Sequence, residues 1–183
     1  MATRIVLAED SYLMREGIGS ILELDEKLEL VASCENPDEL FAAVDEHRPD
    51  VVITDIRMPP TQTDEGIRAA LQIRGEYPGT GVVVLSQYVE PEYAFKLFAD
   101  GSEGLAYLLK ERVADLGELT AAIGRVAAGG SVIDPKVVEA LIAARIEQES
   151  SVIGRLRRRR SRGSPFMSAC SSLKERTRRA RGD

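Results

Sequence analysis

The chain has no tryptophan, one histidine, two cysteines and an aromatic content of only 5 %. Each shortage removes a class of chemistry. Cys34 and Cys170 stand far apart, with no metal-ligand spacing and no redox pair. They read as free thiols of a reducing compartment. His47 follows Glu46 near a predicted helix end and precedes Arg48-Pro49. That is the place of a solvated C-terminal cation, not of a catalytic base. No apolar run is long enough to span a bilayer. Met1-Ala2-Thr3-Arg4 leads straight into a strand pattern, with no secretory leader. The expected location is the cytoplasm, with no membrane partner.

What is present is ordinary in bulk and uneven in charge. A length of 183 residues and 44 % hydrophobic content suit one domain with a sizeable core plus an appendage. The net charge is −6, yet residues 155–183 hold eleven basic and two acidic side chains, +9, which leaves −15 for the rest. An acidic body does not read as a nucleic-acid surface, so any such role falls to the tail.

Strand and helix patterns alternate along residues 4–128, which predicts a parallel sheet covered on both faces. The strand patterns fall at 4–8, 28–33, 50–54, 81–85 and 104–108. Val51-Val52-Ile53 and Val82-Val83-Val84-Leu85 are continuous apolar runs, the mark of central parallel strands. Helices are predicted near 11–24, capped by Ser11, near 37–47 after Asn36, near 65–76 capped by Asp64, near 91–100 after Pro91, and near 115–128. Five such units predict an α/β flavodoxin-like, doubly wound sheet with strand order 2-1-3-4-5. One more helix is predicted near 135–148, outside the sheet, opened by Asp134-Pro135. From residue 150 onward no period survives, and the segment reads as disordered.

In that strand order the first and third strands are neighbours, and their ends carry Glu9, Asp10 and Asp55. Ligand sites of open α/β sheets lie outside these carboxyl ends. Three close carboxylates repel unless a divalent cation separates them, and oxygen-only donors favour Mg²⁺. The pattern predicts a metal-assisted phosphoryl-transfer site.

Ser86 ends the fourth strand, and Tyr107 and Lys110 lie in Leu105-Ala106-Tyr107-Leu108-Leu109-Lys110. With Glu9-Asp10 and Asp55 these positions match, in order and spacing, the receiver domain of two-component response regulators. Asp55-Ile56-Arg57-Met58-Pro59-Pro60 resembles that family's phosphoacceptor loop. The resemblance covers about residues 3–128 and implies a CheY-like fold. It implies that Asp55 accepts a phosphoryl group from the phosphohistidine of a sensor histidine kinase. Asp10, Asp55 and the carbonyl of Arg57 are then Mg²⁺ ligands, and Glu9 binds the ion through water. Lys110 pairs with Asp55 and later with the phosphoryl group, Ser86 hydrogen-bonds it, and Tyr107 turns inward as the switch. The resemblance implies no enzymatic turnover beyond self-phosphorylation and slow autodephosphorylation. Phosphatases with aspartyl-phosphate chemistry need a general acid two residues after the nucleophile, and Arg57 stands there.

Residues 129–138, Gly129-Gly130-Ser131-Val132-Ile133-Asp134-Pro135-Lys136-Val137-Val138, resemble the linker of LuxR-type regulators. The reading divides the chain into a receiver at 1–128, a linker with helix at 129–149 and a basic tail at 150–183. In that subfamily a helix-turn-helix DNA-binding domain follows and controls transcription, but no such pattern follows residue 150 here. The Arg/Ser/Gly bias of the tail is what an out-of-frame reading of GC-rich coding sequence gives, and a frameshift or truncation near 149–155 is expected. The competing readings are a stand-alone receiver acting by kinase titration or protein contacts, as homodimer or heterodimer, and a nucleic-acid binder working through the tail. Against the last, no aromatic pattern accompanies Arg157-Arg158-Arg159-Arg160, and Phe166 stands alone.

Overall fold

The computed structural model describes residues 1–162. In chain order the elements are β1 (Thr3–Ala8), α1 (Tyr12–Leu22), β2 (Leu28–Cys34), α2 (Pro37–His47), β3 (Val51–Asp55), α3 (Glu65–Glu76), β4 (Gly81–Ser86), α4 (Pro91–Phe98), β5 (Leu105–Leu109), a 3₁₀ turn (Lys110–Ala114), α5 (Leu116–Ala127), β6 (Val132–Ile133) and α6 (Pro135–Arg162). All strands pair in parallel, in the order β2-β1-β3-β4-β5-β6.

The alternation of side chains across the pleat divides the core into two layers. Val6, Ala8, Val52, Val82, Val84, Leu105 and Tyr107 face the layer that includes α2, α3 and α4. Ile5, Leu7, Val51, Ile53, Val83, Leu85 and Ala106 face the layer that includes α1 and α5. Burial on both faces is why β3, β4 and β5 read as unbroken apolar runs.

Two of the predicted helix starts differ in detail. Asn36 caps α2, accepting from Glu39 N–H at 3.0 Å, and Asp115 caps α5. Ser11 makes no side-chain cap on α1; its N–H donates to Glu9 Oε1 at 3.3 Å. Asp64 makes none on α3; it pairs instead with Arg68 at 3.1 Å and Lys96 at 3.5 Å.

The sheet has six strands, one more than predicted. Gly129, with φ +81°, turns the chain after α5, a conformation that suits glycine. The Gly129 and Gly130 carbonyls both accept Gly104 N–H at 3.1 Å, and Asp134 N–H donates to Tyr107 O at 2.9 Å. Val132 and Ile133 then cover the edge that β5 would otherwise expose. The helix expected near 135–148, outside the sheet, follows as the start of α6, and its Val137 is fully buried.

Residues Met1–Leu141 form one compact unit, and a second begins at Ile142. Helix α6 runs on to Arg162, so residues 150–162 are helical where disorder was expected. Arginine is a good helix former, and no proline interrupts the segment before Pro165. The expectation for residues 163–183, including Cys170 and Phe166, lies outside the described residues. Among the described residues no helix is long and apolar enough to cross a membrane.

Candidate functional site

Strand β1 stops at Ala8 and β3 at Asp55, side by side in a register that pairs Ala8 with Thr54. The turn after β1 thereby carries Glu9 and Asp10 to Asp55, and one carboxylate oxygen from each lies within 4.8 Å of the others. Lys110 begins the turn after β5 and reaches across β4. Its Nζ is 2.8 Å from Asp55 Oδ2 and 2.7 Å from Glu9 Oε2. The Glu9 contact is an ion pair outside hydrogen-bond geometry. Asp55 Oδ1 accepts the N–H of Ile56 at 2.7 Å. Glu9 and Asp55 are buried, while Asp10 stands at the mouth, half-buried.

One ammonium thus meets two buried carboxylates, with a third beside them at the mouth. Burial pushes the Glu9 carboxyl above its ordinary value, and the neighbouring Asp55 adds to the rise while Lys110 opposes it. Burial raises Asp55 as well, offset in part by its bond to Lys110. For Lys110 burial alone favours the neutral amine, but the adjacent Asp55 and Glu9 carboxylates outweigh it and hold the ammonium. The remaining negative charge and the all-oxygen donor set fit a hard divalent cation. Among the described residues, Glu9, Asp10 and Asp55 form a cluster that could hold one.

The other predicted residues surround this centre without joining it. Ser86 is buried, but its hydroxyl donates to Tyr88 O at 2.6 Å and not toward the carboxylates. Tyr107 lies wholly inside, its hydroxyl without a hydrogen-bond partner among the described residues and its phenol pushed up by burial. The Arg57 side chain points outward, paired with Glu90 at 2.6 Å and lying over the Tyr88 ring. His47 ends α2, half-buried, and its carbonyl accepts from Arg4.

Three contributors escaped the sequence reading. Arg15 is buried in α1 and donates to the Glu9 carbonyl at 2.7 Å and to Glu35 at 2.6 Å, which holds the turn that presents Glu9. A signal existed: Arg15 stands at helical spacing with Ile18 and Leu22, a charge on the apolar stripe. Gln62 donates from Nε2 to Asp10 Oδ2 at 2.7 Å. Glu65, buried at the start of α3, accepts N–H bonds from Thr61 and Thr63. Nothing in the local pattern of residues 59–65 announces these last two. A cavity of about 590 Å³ opens beside this loop, lined in part by Phe41, Pro59, Pro60 and Arg68, and excludes the three carboxylates.

Residues 5–123 match the family described as the response regulator receiver domain. The chain belongs to the response regulator receiver family. This receiver is 38 % identical to the transcriptional regulatory protein DegU of Brevibacillus brevis, over 82 % of this chain and 64 % of that protein. It is 33 % identical to the oxygen regulatory protein NreC of Staphylococcus haemolyticus, over 76 % of this chain and 61 % of that one. The chain therefore spans less than two thirds of the length of either relative. Among solved structures, the receiver domain of the putative response regulator NarL from Mycobacterium tuberculosis aligns with TM-score 0.61 at 26 % identity, over 70 % of this chain and 98 % of that one. The CheY-like receiver fold, with its sixth strand, is thus a property of this molecule, and the acidic cluster lies within the matched residues.

Proposed function

We propose that this receiver is a phosphorylation switch of a two-component system, with Asp55 as the phosphoacceptor. The observation that carries the reading is Lys110, held 2.8 Å from Asp55 and 2.7 Å from Glu9 beside a third carboxylate. The donor is a phosphohistidine of a sensor histidine kinase. An oxygen of Asp55 attacks the phosphorus in line, the P–O bond forms, the P–N bond breaks, and the imidazole leaves with the electron pair. The protein supplies position and charge and little covalent work. Lys110 leaves its contact with Asp55 Oδ2 and meets a phosphoryl oxygen. Ile56 N–H steadies Asp55 Oδ1 through the change. Glu9, Asp10 and Asp55, with the Arg57 carbonyl, would hold a Mg²⁺ ion, which would supply further positive charge to the transferring phosphoryl group. Ser86 rotates away from Tyr88 to donate to the new phosphate, and Tyr107, already inside, holds the space behind it. The acyl phosphate thereby changes the face made by α4, β5 and α5.

The DegU relative is a transcriptional regulatory protein. For this chain we propose the receiver's share of such regulation, exerted through whatever the chain contacts. With no acid two residues after Asp55, self-hydrolysis is slow.

Incubation with acetyl phosphate and Mg²⁺, read by intact mass, tests the reading. A single adduct is expected that requires Mg²⁺, resists acid, is cleaved by base and is absent in Asp55→Ala. An adduct that persists in Asp55→Ala would assign the chemistry elsewhere.

A further inference from the structure

The members of the acidic cluster are not held alike. Glu9 and Asp55 are buried and share Lys110. Asp10 reaches neither Lys110 nor any backbone N–H. Among the described residues its one polar partner is the side-chain amide of Gln62, which donates to Oδ2 at 2.7 Å across 52 positions of sequence. Gln62 is itself held in an uncommon state. Its φ is +59°, in the left-handed region that side chains other than glycine seldom adopt.

The surrounding loop maintains that state. Gln62 N–H donates to Met58 O at 3.0 Å. Next to it, the buried Glu65 carboxylate gathers Thr61 N–H at 3.1 Å, Thr63 N–H at 2.8 Å and the Thr61 hydroxyl. Arg68 closes on the same carboxylate at 3.3 Å. Gly66 then packs directly against the Asp55 carbonyl, so the loop is fixed to the strand end that carries Asp55. A disfavoured backbone conformation held by this many bonds has its effect where the side chain lands. Here it lands on a candidate cation ligand.

We infer that Gln62 is a positioning residue of the cation site: its amide holds one carboxylate oxygen of Asp10 and leaves the other oriented for Mg²⁺. The inference rests on the reading of the acidic cluster as a Mg²⁺ site. Small divalent cations demand near-ideal geometry, so a ligand at the solvent-facing mouth gains most from being held. Donors that grip a ligating side chain are the usual means of doing so. The loop between β3 and α3 thereby acts as a fixed flap over the one ligand that burial does not constrain.

The full chain and its Gln62→Gly and Gln62→Ala variants are titrated with Mg²⁺ by NMR without a phosphodonor. The Mg²⁺ dependence of acetyl-phosphate labelling follows by intact mass, with melting temperature alongside. Gln62→Gly removes the amide while suiting the positive φ, so it separates the side chain from the loop. Both variants are expected to weaken Mg²⁺ binding about tenfold, the low end for outer-sphere partners because this one is exposed. The labelling rate at saturating Mg²⁺ should stay that of wild type, and Gln62→Gly should melt no lower than wild type. Wild-type Mg²⁺ affinity in Gln62→Gly would overturn the inference, as would a rate lost along with affinity at saturating Mg²⁺. Wild-type protein that binds no Mg²⁺ and takes no label would instead overturn the cation-site reading beneath it.

Discussion

Gly66 sits where the site leaves no room for a side chain. A Cβ there would lie 1.7 Å from the Asp55 carbonyl oxygen, well inside contact distance. Its N–H also donates to Ile56 O at 2.8 Å, so the first turn of α3 rests directly on the end of β3. Gly66→Ala must push helix and strand apart, which costs about 3 kcal/mol by analogy with overpacked cores. The lower urea midpoint should come with weaker Mg²⁺ binding, because Asp55 moves with its carbonyl. A variant as stable as wild type would mean that the close approach relaxes freely. The residue scale also shows where reading by period stops. Arg15 occupied an apolar-stripe position and was legible as an oddity. Gln62 was not, because its partner Asp10 lies 52 positions away and only the fold returns it; Glu65 was not, because its bonds to Thr61 and Thr63 depend on a loop conformation that leaves no periodic signal.

The element that the strand pattern missed is β6. Two residues are too few for a periodic signal, and their pairing comes from the bare edge of β5 rather than from their own preference. Its attachment is electrostatic as well as hydrogen-bonded. Asp134, buried, accepts from Arg112 Nε at 2.9 Å and from Lys136 N–H at 2.9 Å, and Lys136 meets Glu111. Burial alone would raise the Asp134 carboxyl, but the Arg112 bond and the backbone N–H groups outweigh it and hold it below its ordinary value. A depressed carboxyl adds stability that is fully present above the unfolded value, about 3.9, and is lost as pH falls through the folded one. Urea unfolding of wild type and Asp134→Asn should therefore show a gap in favour of wild type at neutral pH. The gap should narrow only below about pH 4. A gap that does not change with pH would rule out the charge as its source.

At the scale of the whole molecule, the compact unit ends at Leu141 and not at the close of the fifth helix. Val137 is fully buried and Leu141 packs on the same core layer. Ending the chain after residue 128 removes β6, the Asp134 clamp and Val137. That should cost about 3 kcal/mol, from one buried aliphatic side chain and a few hydrogen bonds. Ending it after residue 141 should leave the urea midpoint near that of the full chain. Equal midpoints for the two truncations would show that the last strand adds nothing to the fold.

The order of strands and helices, the buried central strands and the acids at the strand ends were all legible in the linear pattern. Each follows from local periodicity and from the rule that parallel sheets carry their sites at carboxyl ends. Tertiary structure alone decided that Lys110 bridges Asp55 and Glu9. It also decided that Ser86 faces Tyr88, that β5 acquires a neighbour and that Gln62 grips Asp10. Apart from the local Ser86–Tyr88 turn, these contacts join segments far apart in sequence. Their partners are selected by burial and by the need to satisfy polar groups in three dimensions, which no window along the chain contains.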